Sequence, residues 1–204
     1  AAVGVTRVVQ VGCDITTSRW AVAASEARED VVATVALHPN EAPRVFAEQG
    51  RAALEEQWAE IADLARAPRV RAIGETGLDF FRTAPEGREV QEESFQFHIR
   101  LANELNLPLM IHDRDAHDDV VRVVLDEGAP RTVVFHCFSG DASLARICIE
   151  HGWYASFAGT VTYKNATGIR AALRLMPDHL ILTETDAPFL PPVPYRGQVN
   201  ASEL

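Results

Sequence analysis

Glu75, His112, His136 and Asp186, with His38, each stand where an apolar run gives way to polar or chain-breaking residues. Ala72-Ile73-Gly74 leads to Glu75, Leu109-Met110-Ile111 to His112, and Val133-Val134-Phe135 to His136. Leu180-Ile181-Leu182 leads through Thr183-Glu184-Thr185 to Asp186, just before Pro188, and Val35-Ala36-Leu37 leads to His38. Short β-branched or apolar runs bounded by breakers read as buried strands, so these side chains are expected at the mouth of a sheet, not inside it. Neutral imidazoles and carboxylates suit zinc, manganese, iron or a similar divalent ion. Gathered at one mouth, they can hold metals that lower the pKa of a bound water toward about 7 and create a hydroxide nucleophile. A carboxylate beside that water can take its proton. A pair of ions would also neutralise an oxyanion such as phosphate.

Each residue has a plainer reading. A lone histidine at a loop start more often hydrogen-bonds or faces water, Glu75 can cap the amides of the turn Thr76-Gly77, and Asp186 can brace the turn at Ala187-Pro188. Recurrence of the same residue types at successive strand ends is what favours a metal centre. His98, His117, His151 and His179 fall on or beside helix-like segments and are read as structural.

The elements that must position these residues alternate along the chain. Strands are predicted at 7–12, 31–37, 69–74, 108–111, 132–135, 153–157 and near 180. A helix capped by Thr17 or Ser18 is expected to run to about Glu29 and bury Trp20, Ala21 and Ala24. Leu54, Trp58, Ile61 and Leu64 mark a second helix. Glu86 to Asn106 reads as the longest, stopped by Asn106 and Pro108. Further helices are expected at 116–127, up to His151, and after a cap at Asn165. Strict β-α alternation with apolar strands implies a parallel sheet covered by helices. A doubly wound sheet and a TIM barrel both fit, and the barrel is favoured because chemistry-capable residues follow most of the strands. One domain spanning residues 1–204 is expected. Seven strands are one short of a (β/α)₈ barrel. Ala1 to Gly4 reads as the tail of a helix whose strand lies upstream, and Pro191 to Leu204 contains no closing helix. The expectation is a piece of a longer natural chain lacking its first strand and its C-terminal end.

Composition narrows the class. The 204 residues are 47% hydrophobic and 24% charged, which is ordinary for a globular protein. No apolar run approaches the roughly 20 residues of a membrane span. Cys13, Cys137 and Cys148 form neither a disulfide framework nor a zinc-finger pattern, which makes a cytoplasmic location the expectation. Cys137 is read as a packing residue. The net charge of −10 argues against tight wrapping of long duplex DNA but leaves a nucleic-acid substrate open, since divalent ions supply positive charge locally.

The motifs are familiar in their order. Gly74-Glu75-Thr76-Gly77-Leu78-Asp79, Ile111-His112-Asp113-Arg114-Asp115-Ala116, His136-Cys137-Phe138-Ser139-Gly140 and Glu184-Thr185-Asp186-Ala187-Pro188-Phe189-Leu190 resemble the signatures of the TatD family. Leu37-His38-Pro39 and the segment Phe157 to Ala166 are similar to further stretches of that family, so the likeness covers nearly the whole chain. It implies a metal-dependent hydrolase on a TIM barrel of the amidohydrolase superfamily, with two divalent ions (Mg, Mn or Zn). It also implies that Glu75 touches both ions, that His112 and His136 bind the second, and that Asp186 is a ligand and the general base. The family takes two more ligands from a His-x-His pair on its first strand, and no His-x-His occurs in this sequence.

Two cations are candidates for substrate contact. Arg114 can reach a phosphate with two hydrogen bonds or pair with Asp113 or Asp115. Lys164 follows the sixth strand, near where barrels often bind phosphate. The expected activity is cleavage of DNA phosphodiester bonds, from an end or in single strands, with DNA as substrate, no membrane and no obligate protein partner. The alternatives are ester or amide hydrolysis at the same ions, as in a D-aminoacyl-tRNA deacylase, and a non-catalytic binding or scaffold barrel.

Overall fold

Strands and helices alternate from Val8 to Thr183 within residues 4–202, the span that this structure, a computed structural model, describes. The helix tail expected at the first four positions lies, apart from Gly4, outside the described residues. The chain forms two compact units, Thr6–Val133 and a smaller one made of Ala1–Val5 with Val134–Leu204.

The larger unit runs β1 (Val8–Val11), α1 (Ile15–Ala27), β2 (Val31–Val35), α2 (Glu41–Leu64), β3 (Val70–Asp79), α3 (Arg88–Leu105), β4 (Leu109–Arg114) and α4 (His117–Asp126). Its strands pair in parallel in sequence order, as helical crossovers require: Val8 opposite Val31, Val35 opposite Ile73, and Gly77 opposite His112. The core is built from Val35, Ile73, Leu78, Leu109 and Ile111 of the strands, with Leu37 just beyond β2, against Leu54, Ile61, Phe95 and Ile99 of the helices, all fully buried. The smaller unit carries most of β5 (Val133–Phe135), then α5 (Ala142–His151), β6 (Tyr154–Phe157), α6 (Thr167–Leu175) and β7 (Ile181–Thr183). These strands are again parallel neighbours, with Phe135 opposite Ala155 and Phe157 opposite Thr183. Phe135, Phe138, Trp153 and Phe157 pack as an aromatic cluster behind them.

Several expectations need correction. The cap of α1 is Asp14, whose carboxylate accepts from Thr17 N–H while the Thr17 hydroxyl accepts from Asp14 N–H; a capping box satisfies two donors where one serine or threonine satisfies one. Trp20 faces water at 58% exposure, because α1 turns Ser18, Ala21, Val22 and Ser25 inward. The helix α6 begins after Ala166 with no side-chain cap from Asn165. Most relevant to function, β3 does not end at Glu75 but continues to Asp79, so Glu75 lies within a strand and has a buried acid four residues beyond it.

Candidate metal centre

In the larger unit, the register of β3 against β4 sets the first cluster. Gly77 is opposite His112, and a Cβ at Gly77 would lie 2.0 Å from the His112 carbonyl oxygen, so only glycine lets the strands close here. Closure brings His112 Nδ1 to 2.6 Å from Glu75 Oε1 and Nε2 to 3.3 Å from Asp79 Oδ2. Asp79, 1% exposed, also accepts from Asn40 Nδ2 at 3.1 Å and from the Phe81 and Arg82 amides at 3.1 and 2.9 Å. Burial works against its charge, but the hydrogen bonds from His112, Arg82 and Asn40 outweigh burial and hold the carboxyl well below the usual range. Burial likewise works against a charged His112, yet the bonds to Asp79 and Glu75 raise its pKa to about 9. An ion binding here displaces a proton from the ring.

His38 completes the cluster from the end of β2. One donor atom each from His38, Glu75 and His112 lies within 4.8 Å of the others. The His38 ring meets that of His112 edge-on at 4.5 Å, and its Nε2 is 3.7 Å from Glu75 Oε1. Burial lowers its pKa to about 4, so it is neutral near pH 7. The Asn40 amide donates to Nδ1 at 3.2 Å, which leaves the single proton of a neutral ring on Nε2. In that tautomer His38 offers an N–H toward the cluster, the complement of a ligand lone pair.

Behind these residues is a buried amide scaffold. Gln91 accepts from Asp79 N–H at 2.9 Å and donates to Pro39 O and to the Thr83 hydroxyl, which in turn donates to Asn40 Oδ1. His98, fully buried, accepts the Leu37 amide at Nε2 (3.1 Å) and contacts Ser94 O through Nδ1 (2.6 Å), fixing the chain just ahead of His38.

In the smaller unit, His136 follows β5, and Glu184 and Asp186 follow β7. Glu184 Oε2 accepts from His136 Nδ1 at 2.8 Å and from the Ser156 hydroxyl at 2.7 Å, while Oε1 accepts the Cys137 amide at 2.7 Å. Cys137 and Asp186 both hold left-handed backbone, φ 43° and 56°, a conformation that costs energy for non-glycine residues and gathers at functional sites. His136 Nε2 is 3.4 Å from Asp186 Oδ1. With Nδ1–H engaged by Glu184, a neutral ring turns a lone pair toward an anionic oxygen, and a cation or a proton reconciles the two. The donor sets of both units thus fit divalent ions, each with one carboxylate orienting a ring whose other nitrogen meets a second carboxylate.

Of the residues expected at the site, Glu75 and His112 are in contact, and so are His136 and Asp186. Arg114 lies over the Phe81 ring, 3.8 Å from guanidinium carbon to ring centre. Lys164 is exposed on the loop after β6, its carbonyl bonded to Arg170. Asp79 and Glu184 escaped the sequence reading. The available signal was an acid a short step from each strand-end ligand, inside the motifs Glu75-to-Asp79 and Glu184-Thr185-Asp186.

With this geometry in place, comparison with known proteins decides the family. Residues 1–204 match the family described as TatD related DNase. The chain belongs to the TatD family. It is 45% identical over 207 residues to an uncharacterized metal-dependent hydrolase TatD of Mycobacterium tuberculosis, covering 98% of this chain and 74% of that protein. An uncharacterized metal-dependent hydrolase YabD of Bacillus subtilis is 39% identical over 198 residues, covering 96% of this chain and 74% of the relative. Among solved structures, the TatD homologue YjjV of Escherichia coli K12 superposes with a TM-score of 0.86 at 29% identity, covering 98% of this chain and 75% of that one. The parallel α/β fold of TIM-barrel type is therefore that of the TatD proteins, and the chain is a metal-dependent hydrolase of that family. Among the described residues no helix is long and apolar enough to cross a membrane.

Proposed function

We propose that this TatD protein hydrolyses DNA phosphodiester bonds, at strand ends or in single strands, using two divalent ions (Mg, Mn or Zn) bound by Glu75, His112, His136 and Asp186. The observation that carries this reading is the paired arrangement just described: in each unit an imidazole is oriented by one carboxylate and faced by another. The family's description as TatD related DNase supports the choice of substrate. Divalent cations supply Lewis acidity there, offsetting charge on the phosphate and easing deprotonation of water.

The chain's own residues do the rest. Asp186 takes the proton from the attacking water. Asp79 and Glu184 keep His112 and His136 in their orientations through the reaction. His38 presents Nε2–H to an anionic oxygen, since Asn40 holds its proton on that nitrogen. Arg114 and Lys164 contact the substrate strand as cations, and Arg114 is developed further below. We place the reaction in the cytoplasm, where thiols such as those of Cys13, Cys137 and Cys148 stay reduced.

The test is turnover of end-labelled single-stranded and duplex DNA, and of D-aminoacyl-tRNA, by protein reconstituted with Mg, Mn or Zn. Metal-dependent release of nucleotides is expected. Deacylation without nucleotide release overturns the reading in favour of ester hydrolysis, and no turnover of either substrate overturns it in favour of a binding role.

A further inference from the structure

A polyanionic strand approaching a protein of net charge −10 meets overall repulsion, so its affinity has to come from local contacts rather than from a broad basic field. One group in the larger unit is suited to that. Phe81 is 63% exposed, while its neighbour Phe80 is half-buried and covered by Arg88 at 4.1 Å. Arg114 lies over the Phe81 ring at 3.8 Å, and the two segments are tied by a hydrogen bond from Phe80 N–H to Arg114 O at 2.9 Å. The turn is not loose. The amides of Phe81 and Arg82 donate to Asp79 Oδ1, and the other oxygen of that carboxylate meets His112 Nε2. A single buried acid thereby fixes both the proposed ligand His112 and the aromatic ring two residues beyond Asp79.

We propose that Phe81 and Arg114 form a stacking platform for an unpaired nucleobase of the substrate strand, tied through Asp79 to the proposed metal ligand His112. A π-face accepts any base, and a guanidinium laid on an aromatic ring adds positive charge without giving up its N–H donors. The platform explains how an acidic protein can favour strand ends and single strands: a paired, stacked base has no free face to offer. It also gives Arg114, seated over the ring, a place in base binding as well as in phosphate contact. The inference rests on the DNA-cleavage reading above.

The experiment compares kcat and KM of the metal-loaded wild type with those of Phe81→Ala, Phe81→Leu and Phe81→Trp. The substrates are a single-stranded oligonucleotide and the same strand carrying one abasic site, moved stepwise from the end. Phe81→Ala and Phe81→Leu are expected to raise KM for the intact strand roughly tenfold or more, with Phe81→Trp close to wild type. At one abasic position the wild type should lose a similar factor and the Phe81→Ala variant almost nothing further. An unchanged KM in Phe81→Ala, a Phe81→Leu variant that binds like wild type, or equal losses at every abasic position overturns the platform while DNA cleavage stands. A wild type that cleaves no DNA overturns both.

Discussion

His112 and His136 are held in similar ways but supported differently. In the larger unit the orienting carboxylate, Asp79, is almost wholly buried and receives hydrogen bonds from four groups: His112 on β4, Asn40 beyond β2, and the Phe81 and Arg82 amides in the turn after β3. In the smaller unit Glu184 is 19% exposed along its side chain and receives three, from His136 and Cys137 after β5 and Ser156 on β6. The chemistry is shared. Each carboxylate joins three segments, and what differs is burial: Asp79 does so from within the core, whereas Glu184, linking the ends of β5 and β7 with β6, is partly open to water. Two metal-orienting carboxylates with similar bonding can therefore differ in what their loss costs the fold. Mutation separates the two.

The largest effects should come from the carboxylates that face the rings, not from those that orient them. Glu75→Ala and Asp186→Ala are expected to reduce nucleotide release roughly 10²–10⁴-fold, with far-ultraviolet circular dichroism unchanged. Undiminished turnover in either variant removes that residue from the reaction and breaks the parallel between the units. Next come the orienting carboxylates. Asp79→Asn and Glu184→Gln should each weaken metal binding roughly 10–100-fold, read by competition with a chromophoric chelator. They should part company in stability. An amide nitrogen at Asp79 Oδ2 would point at the donors of His112 and Asn40, and each buried group left unsatisfied costs about 1–3 kcal/mol. Glu184→Gln leaves its mismatch partly in water and should cost less. Equal denaturation midpoints would show that the contrast in burial is without energetic consequence.

That asymmetry was only half legible in the sequence. Strand ends are easy to find, because an apolar β-branched run followed by a polar residue is a local signal, and Glu75, His112, His136 and Asp186 were singled out in that way. The local signal fails where pairing decides. The expected end of β3 at Gly74 ignored the register with β4, which carries pairing on to Asp79 opposite Arg114. Without that register nothing distinguishes Asp79 from any acid in a turn. Glu184 was passed over for the opposite reason: it neighbours a better candidate, and only its hydrogen bonds to His136, Ser156 and Cys137 show that it orients while Asp186 faces the ring. A large apolar residue such as Trp20 reads as a core residue, yet the buried face of α1 is lined by Ser18, Ala21, Val22 and Ser25. Small residues there let α1 approach β2 closely, and a bulky indole would not fit.

The smallest expected effect concerns acid and tests whether the larger unit's deep support is as specific as its contacts imply. His98 lies in that unit behind the strand leading to His38, fully buried, with Leu37 N–H donating to its Nε2 and Ser94 O at its Nδ1. Phe97 packs edge-on against it at 5.1 Å. Burial lowers its pKa from 6.5 to about 4, against a weaker opposing pull from Ser94 O. Between those values the unfolded chain binds a proton that the folded chain refuses, so stability falls as pH drops through the window, by up to about 1.4 kcal/mol per pH unit. Above pH 6.5 this histidine contributes no slope. Glutamine can accept from Leu37 N–H and donate to Ser94 O without titrating, so His98→Gln should flatten the acid limb of metal-free protein in urea melts taken from pH 7 to 4. A limb of unchanged slope would mean that His98 protonates as readily folded as unfolded. The support behind His38 would then be soft, and the contrast between the two units would rest on Asp79 alone.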